Sequence, residues 1–214
     1  MKDALSYLVE KYVINLDVPS PIEIPNVGRD SIPQILKDLK FKVGAEIGTE
    51  KGLFMMQLVK RNPHIKMFAV DPYVQYKGYN GWVPEIFIGN YQIAHDRLGV
   101  YPNVEFIRKY SMDALADFEN ESLDFVYIDG NHAYEYVCDD IAGWITKVRS
   151  GGIISGHDYV KARKSKSGGM INVKRAVHEF TEQNKVSPWF ILGTEGRVHG
   201  EIRDTSRSWL WVKS

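Results

Sequence analysis

A chain of 214 residues, 44% of them hydrophobic, has room for one α/β domain with a full core and is short for two. Basic and acidic side chains both number 27, so no net charge recruits nucleic acid or an anionic membrane. Cys138 is the only cysteine, which excludes an internal disulfide. The N-terminal residues resemble neither a signal peptide nor a membrane span, so we expect a cytoplasmic protein.

The N-terminal region is predicted to be helical. Residues 3–14 carry apolar positions at helical spacing, and residues 31–39 begin with a serine and a proline that suit the start of a helix. Three prolines between them predict an extended connector over residues 17–29. We therefore expect residues 1–40 to form a helical cover on a domain made by residues 41–214.

Residues 41–52, FKVGAEIGTEKG, predict a buried strand, a glycine turn and the start of a helix. Gly48 and Gly52 lack a Cβ, so a ligand can lie against this turn, where the first amides of the helix point. A second strand, residues 65–70, ends in Asp71, a position from which a carboxylate can accept hydrogen bonds from a ribose. Ordinary turn glycines and a capping aspartate are the alternative. The spacing favours a nucleoside site.

The nature of the nucleoside follows from the turn itself. EIGTEKG lacks the second glycine of the dinucleotide pattern G-x-G-x-x-G, which disfavours a nicotinamide-dependent oxidoreductase without excluding it. A cofactor without phosphates fits better, and Glu46 before the turn suits one that is positively charged.

The next segment, residues 72–84, is rich in aromatic residues, glycine and proline. It either overhangs the ribose and the substrate entrance or packs its aromatic rings on the core. A helix is predicted at 85–98, a strand at 104–107, and a further helix that opens at Ser111, a candidate N-cap.

The remaining chain continues the alternation of strands and helices. The predicted elements are a strand at 123–128, a helix from Tyr136 to Val148, a strand at 153–156, a polar loop at 161–172, a helix at 173–183 and strands at 190–192 and 209–212. The basic, glycine-containing loop suits a lid over the substrate, a phosphate or nucleic-acid patch, or a solvated loop without function. Five alternations predict a parallel sheet covered by helices on both faces, with the last two strands antiparallel.

Polar residues follow the strands of this sheet where each strand ends. Ligands bind beyond the carboxyl ends of strands in open α/β sheets, and a buried core needs no carboxylate or imidazole there. The residues at these ends are Glu46 to Gly48, Asp71, Asp129 to His132, and His157 with Asp158.

These motifs resemble a known family. E-I-G-T-E-K-G followed by a strand ending in aspartate resembles motifs I and II of class I S-adenosylmethionine (SAM)-dependent methyltransferases. D-G-N-H-x-Y-E-x-V and the later G-G-x-I-x-G-H-D-Y resemble the subgroup of macrolide-sugar O-methyltransferases and, more distantly, catechol O-methyltransferases. The resemblance covers residues 41 to about 180. It implies a Rossmann-like, doubly wound sheet of seven strands, mostly parallel with one antiparallel strand, in a three-layer α/β/α sandwich.

The resemblance also implies roles for individual residues. The cofactor-binding positions are Glu46, Gly48, Thr49, Gly52, Asp71, Ser111, Met112 and Asp129. Asp129 and Asp158 match ligands of a divalent cation, usually Mg²⁺, and His157, which stands where sugar enzymes often have another aspartate, is the third candidate ligand. His132 matches the proposed general base, so the catalytic pair is His132 and Asp129.

Methyl transfer to a hydroxyl needs the oxygen to be held in line with the methyl group and its proton to be removed. A cation between two carboxylates and an imidazole would serve both needs. The expected acceptor is a small molecule or a sugar hydroxyl, with no nucleic acid or membrane and with an oligomer possible. Other interpretations stay open: His132 and His157 as structural histidines, and the whole chain as an inactive SAM-binding domain.

Overall fold

The computed structural model describes residues 3–75, 83–165, 169–196 and 199–214. Its strands are β1 (Ile22–Ile24), β2 (Val43–Ile47), β3 (Lys66–Val70), β4 (Val104–Ile107), β5 (Leu123–Ile128), β6 (Val148–Tyr159), β7 (Arg163–Lys164), β8 (Met170–Ile171), β9 (Phe190–Leu192) and β10 (Arg207–Val212). Its α-helices are α1 (Ala4–Tyr12), α2 (Ile32–Asp38), α3 (Leu53–Arg61), α4 (Pro84–Leu98), α5 (Ser111–Ala114), α6 (Tyr134–Trp144) and α7 (Val173–Gln183).

The central sheet has eight strands in the described chain, in the order β1-β9-β10-β6-β5-β2-β3-β4. The run from β4 to β6 is parallel, and β10 pairs antiparallel with both β6 and β9. Helices connect the parallel strands, as right-handed crossovers require. The predicted doubly wound, mostly parallel sheet with one antiparallel strand is confirmed.

The predicted strand number, seven, is wrong by one. The additional strand is β1, which pairs in parallel with β9 and lies within the predicted connector. Two backbone hydrogen bonds join the ends of β1 to the residues that flank β9: Ile22 N donates to Trp189 O at 2.9 Å, and Gly193 N donates to Ile24 O at 2.8 Å. A segment of three residues beside prolines is too short to show a hydrophobic period, so the sequence did not predict this strand. It forms because β9 offers an edge with which it can pair. The segment 1–40 therefore contributes to the sheet as well as covering it.

Helices cover both faces of the sheet, as expected for a three-layer sandwich. Alternate residues of β5 point to opposite layers, so Phe125 and Tyr127 join one core while Val126 and Ile128 join the other. The first core contains buried residues of α1, α2 and α3, and the second contains buried residues of α6 and α7. These four side chains are all buried, two on each face of the sheet, which is typical of a central parallel strand.

Three local predictions need correction. Helix α6 ends at Trp144, not Val148, because a tight turn follows, in which Lys147 N donates to Trp144 O. Val148 is already the first residue of β6, where it pairs with Leu123 of β5. Ser111 is the first residue of α5 and makes no capping bond. The predicted loop at 161–172 contains the short antiparallel hairpin β7–β8 in its described part.

Most of the predicted aromatic loop at 72–84 lies outside the described residues. At its edges, Tyr73 is buried and packs edge-to-face on Tyr91, and Pro84 begins α4. Among the described helices, none combines the length and the apolar character needed to cross a membrane.

Candidate active site

Three neighbouring parallel strands, β2, β3 and β5, end in register at one edge of the sheet, and β6 runs past them to Tyr159. Ile47 is paired with both Val70 and Ile128, and Ile128 is paired with Gly156. The next residue along each strand therefore emerges at this edge, and these residues are Gly48, Asp71, Asp129 and His157. The sequence prediction that these positions converge is confirmed by the register.

The two glycines of the turn after β2 are required by the protein's own backbone. Gly48 has φ +88°, and a Cβ on it would lie 2.3 Å from the carbonyl oxygen of Asp129. Gly52 has φ +70°, and its Cβ would lie 2.7 Å from Leu98 Cδ1. Both values of φ belong to the left-handed region that favours glycine. The ligand-approach argument made from sequence is therefore incomplete, since the close approach of the Asp129 backbone to Gly48 and the left-handed φ of both residues favour glycine as well.

Two cavities open at this edge and share Gly48, Gly130 and Asn131. The first, about 390 Å³, is lined by residues of α5 and α6 and by Val70 and Pro72. The second, about 510 Å³, extends along the β2–α3 turn to the ends of β5 and β6. A ligand with two different ends can occupy both cavities across the shared glycines.

Asp71 is held firmly at the mouth of the second cavity. Its Oδ2 accepts from Glu50 N at 2.9 Å, and its Oδ1 accepts from Tyr73 N at 2.8 Å. Burial raises the pKa of Asp71, and these two backbone donors oppose the rise. A carboxylate fixed in this way keeps lone pairs free for an incoming pair of hydroxyls.

The first cavity contains a connected polar group. Trp144 Nε1 donates to Ser111 Oγ at 2.8 Å, and Ser111 Oγ donates to Asp140 Oδ1. Burial raises the pKa of Asp140 to about 7, although the hydrogen bond from Ser111 opposes it. Met112 is 45% exposed and lies with Ser111 on the cavity wall, where its thioether offers a flexible apolar surface to a flat ring.

The second cavity holds a compact group of carboxylates and imidazole. His132 Nε2 lies 3.2 Å from Asp129 Oδ1 and 3.2 Å from Asp158 Oδ2. One ligand atom from each of the three residues falls within 4.8 Å of the others. Asp129, Asp158 and His132 come together as predicted, and this group is called the acid–imidazole cluster below.

The charges in this cluster stabilise one another. Burial would raise the pKa of Asp129, but the charges of and hydrogen bonds from His157 and His132 hold it well below its usual range. Burial would lower the pKa of His132, but the hydrogen bond to Asp129 and the charges of Asp129 and Asp158 raise it. The carboxylate of Asp129 is thus ionised across the physiological range.

His157 lies at a larger distance from the same carboxylates. Its Nδ1 is 3.6 Å from Asp129 Oδ1 and 3.9 Å from Asp158 Oδ2. Its Nε2 is buried and has no hydrogen-bond partner among the described residues. Asp158 adopts φ +51°, which interrupts the alternation of a strand and lets consecutive residues of β6 line the cavity together.

Two residues of the predicted cofactor set carry buried, unpartnered oxygens. Glu46 is 2% exposed and Thr49 is 4% exposed, and neither Glu46 Oε2 nor Thr49 Oγ1 has a partner among the described residues. Both line the second cavity. Burial, followed by repulsion from Asp129, raises the pKa of Glu46 well above its ordinary value, while Arg29 opposes the rise. An incoming cation would lower the pKa of this carboxyl group and stabilise its ionised form.

Sequence reasoning missed Arg29 and Asp140. Arg29 lies in a 3₁₀ turn of the N-terminal segment and reaches Asp129 Oδ2 with NH1 at 3.3 Å, a contact across 100 residues that no local pattern announces. Asp140 was recognisable, because it stands among Val137, Ile141 and Trp144 on the buried face of α6.

Comparison with known proteins adds a family. A model of the family described as "Methyltransferase domain" matches residues 45–159, more than half of the chain. A curated protein of Sinorhizobium fredii, the uncharacterized protein y4gI, is 29% identical over 119 residues, which cover 53% of this chain and 12% of that much longer protein.

Solved structures show the same fold at low identity. An O-methyltransferase from Bacillus cereus in complex with SAH is 14% identical, with a TM-score of 0.59 over 98% of this chain and 89% of that chain. The O-methyltransferase TomG from Streptomyces achromogenes, in complex with SAM, is 17% identical, with a TM-score of 0.54 over 100% and 91%. An rRNA methylase from Streptococcus thermophilus is 13% identical, with a TM-score of 0.55 over 80% and 86%. The fold is therefore shared by proteins with different acceptors.

Proposed function

The chain belongs to the methyltransferase-domain family, as a SAM-dependent methyltransferase of the class I fold, and from that premise we propose that it methylates a hydroxyl oxygen of a small molecule or sugar. The observation that carries this proposal is the acid–imidazole cluster, which opens into the same cavity as Asp71 and Glu46. Nucleoside recognition and proton-removing groups thereby lie within one continuous pair of cavities.

The proposed position of SAM follows from what each cavity offers. The adenine lies in the first cavity against Met112, and the ribose hydroxyls bond to Asp71. The rest of the molecule enters the second cavity beside Glu46 and Thr49, where its positive charges meet buried carboxyl oxygen. In this orientation the sulfonium, which supplies the methyl group, would enter the cavity that the acid–imidazole cluster lines.

The residues of the cluster then act on the acceptor. A hydroxyl is a weak nucleophile until its proton leaves, and His132, oriented by two carboxylates, is built to take that proton. Both carboxylates lie at the same ring nitrogen, Nε2, so the arrangement differs from a catalytic triad, in which the carboxylate holds one nitrogen of the imidazole and the other nitrogen takes the proton. A well-placed base of this kind contributes about 10²–10⁴-fold to the rate.

The same residues fit a divalent cation. Asp129 and Asp158 would hold it, since ionised carboxylates are the ligands that Mg²⁺ prefers, and the low pKa of Asp129 keeps one of them charged. His157 has an unpartnered Nε2, but a ring nitrogen is not a ligand that Mg²⁺ prefers. A bound cation would supply charge that orients an acceptor oxygen and makes its proton more acidic.

His132 has two candidate roles, because its Nε2 lies as close to the carboxylates as a third ligand would. We assign it the role of base: Mg²⁺ favours oxygen ligands, whereas an imidazole ligand would suit a softer transition metal. His157, which the sequence suggested as a ligand, lies farther from both carboxylates. If His132 is the base, His132→Ala leaves Mg²⁺ affinity unchanged in calorimetry, while a loss of Mg²⁺ binding would make it a ligand.

The choice of acceptor rests on charge. The rRNA methylase among the structural neighbours acts on RNA, but this chain has equal numbers of acidic and basic residues, and its second cavity is lined by five carboxylates and four basic side chains, with no excess of positive charge. Phosphate-rich polymers bind to basic surfaces, so a small hydroxylated molecule is the better partner.

A thermal-shift screen with SAM, SAH, NAD and no ligand tests this function. SAM and SAH should raise the melting temperature, because a ligand that binds only the folded state stabilises it, and NAD should not. Stabilisation by NAD alone would favour the oxidoreductase interpretation. Turnover of a panel of sugars and phenols, with chelator and then with added Mg²⁺, separates an active enzyme from an inactive SAM-binding domain and tests the metal.

A further inference from the structure

We propose that Arg163, on the β7–β8 hairpin, binds an anionic group of the acceptor, so that the substrate is a small molecule that carries a carboxylate or a phosphate as well as the hydroxyl. The inference rests on the proposed function and names the chemical class of the acceptor. It concerns the side of the second cavity that the hairpin lines.

The order of the strands indicates which side of the second cavity is left for the acceptor. At the edge of the sheet the strands follow one another as β3, β2, β5 and β6, so Asp71 follows one outer strand of this group and Asp158 lies on the other. The proposed ribose position at Asp71 places the cofactor on the β3 side. The hairpin follows β6 in the chain, and Asn172, the residue after β8, donates through its N to His132 O at 2.8 Å. The hairpin is therefore joined to the acid–imidazole cluster on the side opposite Asp71.

The pairing within the hairpin indicates which of its basic side chains faces the cavity. Arg163 pairs with Ile171, and residues directly opposite each other in two strands lie on the same face. Ile171 is 5% exposed and lines the second cavity, so this face is the one turned towards it. Lys164 also lines the cavity, but it shares the opposite face with Met170, which is 41% exposed. Arg163 is thus the basic side chain of the hairpin that meets a bound acceptor.

Arg163 has donors that its own chain does not use. Two other basic side chains of the cavity, Arg29 and Lys51, each lie within 3.5 Å of a carboxylate oxygen. Arg163 is exposed and forms no ion pair with the described residues, and its NH2 donates to Ser206 Oγ at 3.4 Å, longer than a usual hydrogen bond. A guanidinium has five N–H donors in a fixed plane and binds a carboxylate or a phosphate through two parallel hydrogen bonds.

The carboxylates of the cluster restrict where an anionic group can lie. Asp129 and Asp158 would repel an anion placed beside His132, so the hydroxyl of such an acceptor, and not its acid, belongs there. At the hairpin the charge is reversed, because Arg163 and Lys164 are both basic. An acceptor with a hydroxyl at one end and an anionic group at the other matches this separation of charge.

The test compares acceptors that differ by the anionic group. Catechol and protocatechuate form the carboxylate pair, and inositol and inositol monophosphate form the phosphate pair. Calorimetry with protein saturated with SAH, which fills the cofactor site, measures the affinity for each compound, and turnover with SAM gives kcat/KM. In at least one pair the anionic member should bind and react about tenfold or more better than the neutral member, the lower end of the range for a charge-assisted hydrogen bond.

Variants of the hairpin show whether Arg163 causes this preference. Arg163→Gln should remove it and leave the affinity for the neutral member within about threefold. Arg163→Lys keeps the charge but loses the paired donors, so it should keep only part of the preference. Lys164→Gln is the matched control: it removes the same charge from the adjacent residue on the opposite face, and it should change the preference by less than about threefold.

The outcomes separate the inference from the function on which it rests. If SAM binds but neither pair shows the preference, or if none of the four compounds binds, the inference is overturned while the cofactor assignment stands. Equal losses in Arg163→Gln and Lys164→Gln would also overturn it, because they would indicate a general effect of charge. If neither SAM nor SAH binds, the proposed function itself fails. Circular dichroism checks the fold of each variant, and if Arg163→Gln is unfolded, an undiminished preference in Arg163→Lys overturns the assignment.

Discussion

Asp140→Asn should stabilise the protein, and more so at high pH. Asp140 is 4% exposed, and its Oδ1 accepts a hydrogen bond from Ser111. An asparagine has nearly the same shape, keeps an oxygen acceptor for Ser111 and never ionises. The substitution therefore removes a buried charge while it preserves the bond to the hydroxyl.

The magnitude follows from the pKa. Burial raises the pKa of Asp140 from 3.8 to about 7, so the folded state binds a proton more tightly than the unfolded state does. Stability consequently falls as pH rises from about 4 to about 7 and stays low above that. Each pH unit in this window is worth about 1.36 kcal/mol, which gives a ceiling of about 4 kcal/mol at pH 8 and about 1.5 kcal/mol at pH 5.

Urea unfolding of both proteins at pH 5 and pH 8 measures this difference. The gain in unfolding free energy for Asp140→Asn should be at least about 1 kcal/mol larger at pH 8 than at pH 5. Asp17→Asn, at an exposed turn, is the control and should change stability by less than about 0.5 kcal/mol at either pH. A gain that is equal at the two pH values, or a loss that grows with pH, would refute the reasoning about Asp140.

The remaining predictions concern the turn and the cluster. Gly48→Ala should lower the unfolding free energy, measured in urea, by about 2–4 kcal/mol, because its Cβ would meet the Asp129 carbonyl and its φ is left-handed. Gly89→Ala in α4 is the control: open space surrounds its Cβ, so it should raise the unfolding free energy by about 0.5–1 kcal/mol, and equal effects of the two variants would contradict this account. His132→Ala should lower kcat by about 10²–10⁴-fold with SAM affinity within about threefold, and full turnover in this variant would exclude the base. Asp158→Asn should weaken Mg²⁺ binding in calorimetry and leave SAM affinity within about threefold, and unchanged Mg²⁺ binding would remove Asp158 from the ligand set.

The fold could be predicted because its signals are local. The run Val43 to Ile47 and the strand at residues 65–70 are mostly apolar segments, followed by Gly48 and by Asp71-Pro72, and α7 was predicted at its observed bounds. The strand β1 could not be predicted, because its three residues gain their structure from β9, far away in the chain. The end of α6 was misplaced because the apolar residues from Trp144 to Val148 continue a helical pattern through a turn.

The site divides in the same way. Asp71, Asp129 and Asp158 were predictable, since strand ends in a parallel sheet meet at one edge and only their side-chain types had to be noticed. Arg29 was not, because its position depends on how the N-terminal segment packs over Phe54 and against Asp204. The sequence predicted that Gly48 leaves room for a ligand. It could not show that Gly48 also leaves room for the Asp129 carbonyl, because that contact is visible only in three dimensions.

The measurement that tests the central claim most directly is calorimetric titration of SAM into the unmodified protein and into Asp71→Asn. Asparagine keeps one side-chain oxygen, so one of the two backbone donors, Glu50 N or Tyr73 N, retains its acceptor, while the other loses its acceptor and the charge offered to the ribose is lost. SAM should bind to the unmodified protein and lose about 1.5–3 kcal/mol of binding free energy in the variant, the worth of a charge-assisted hydrogen bond. Equal SAM affinity in a folded Asp71→Asn, or no SAM binding to the unmodified protein, would contradict the account.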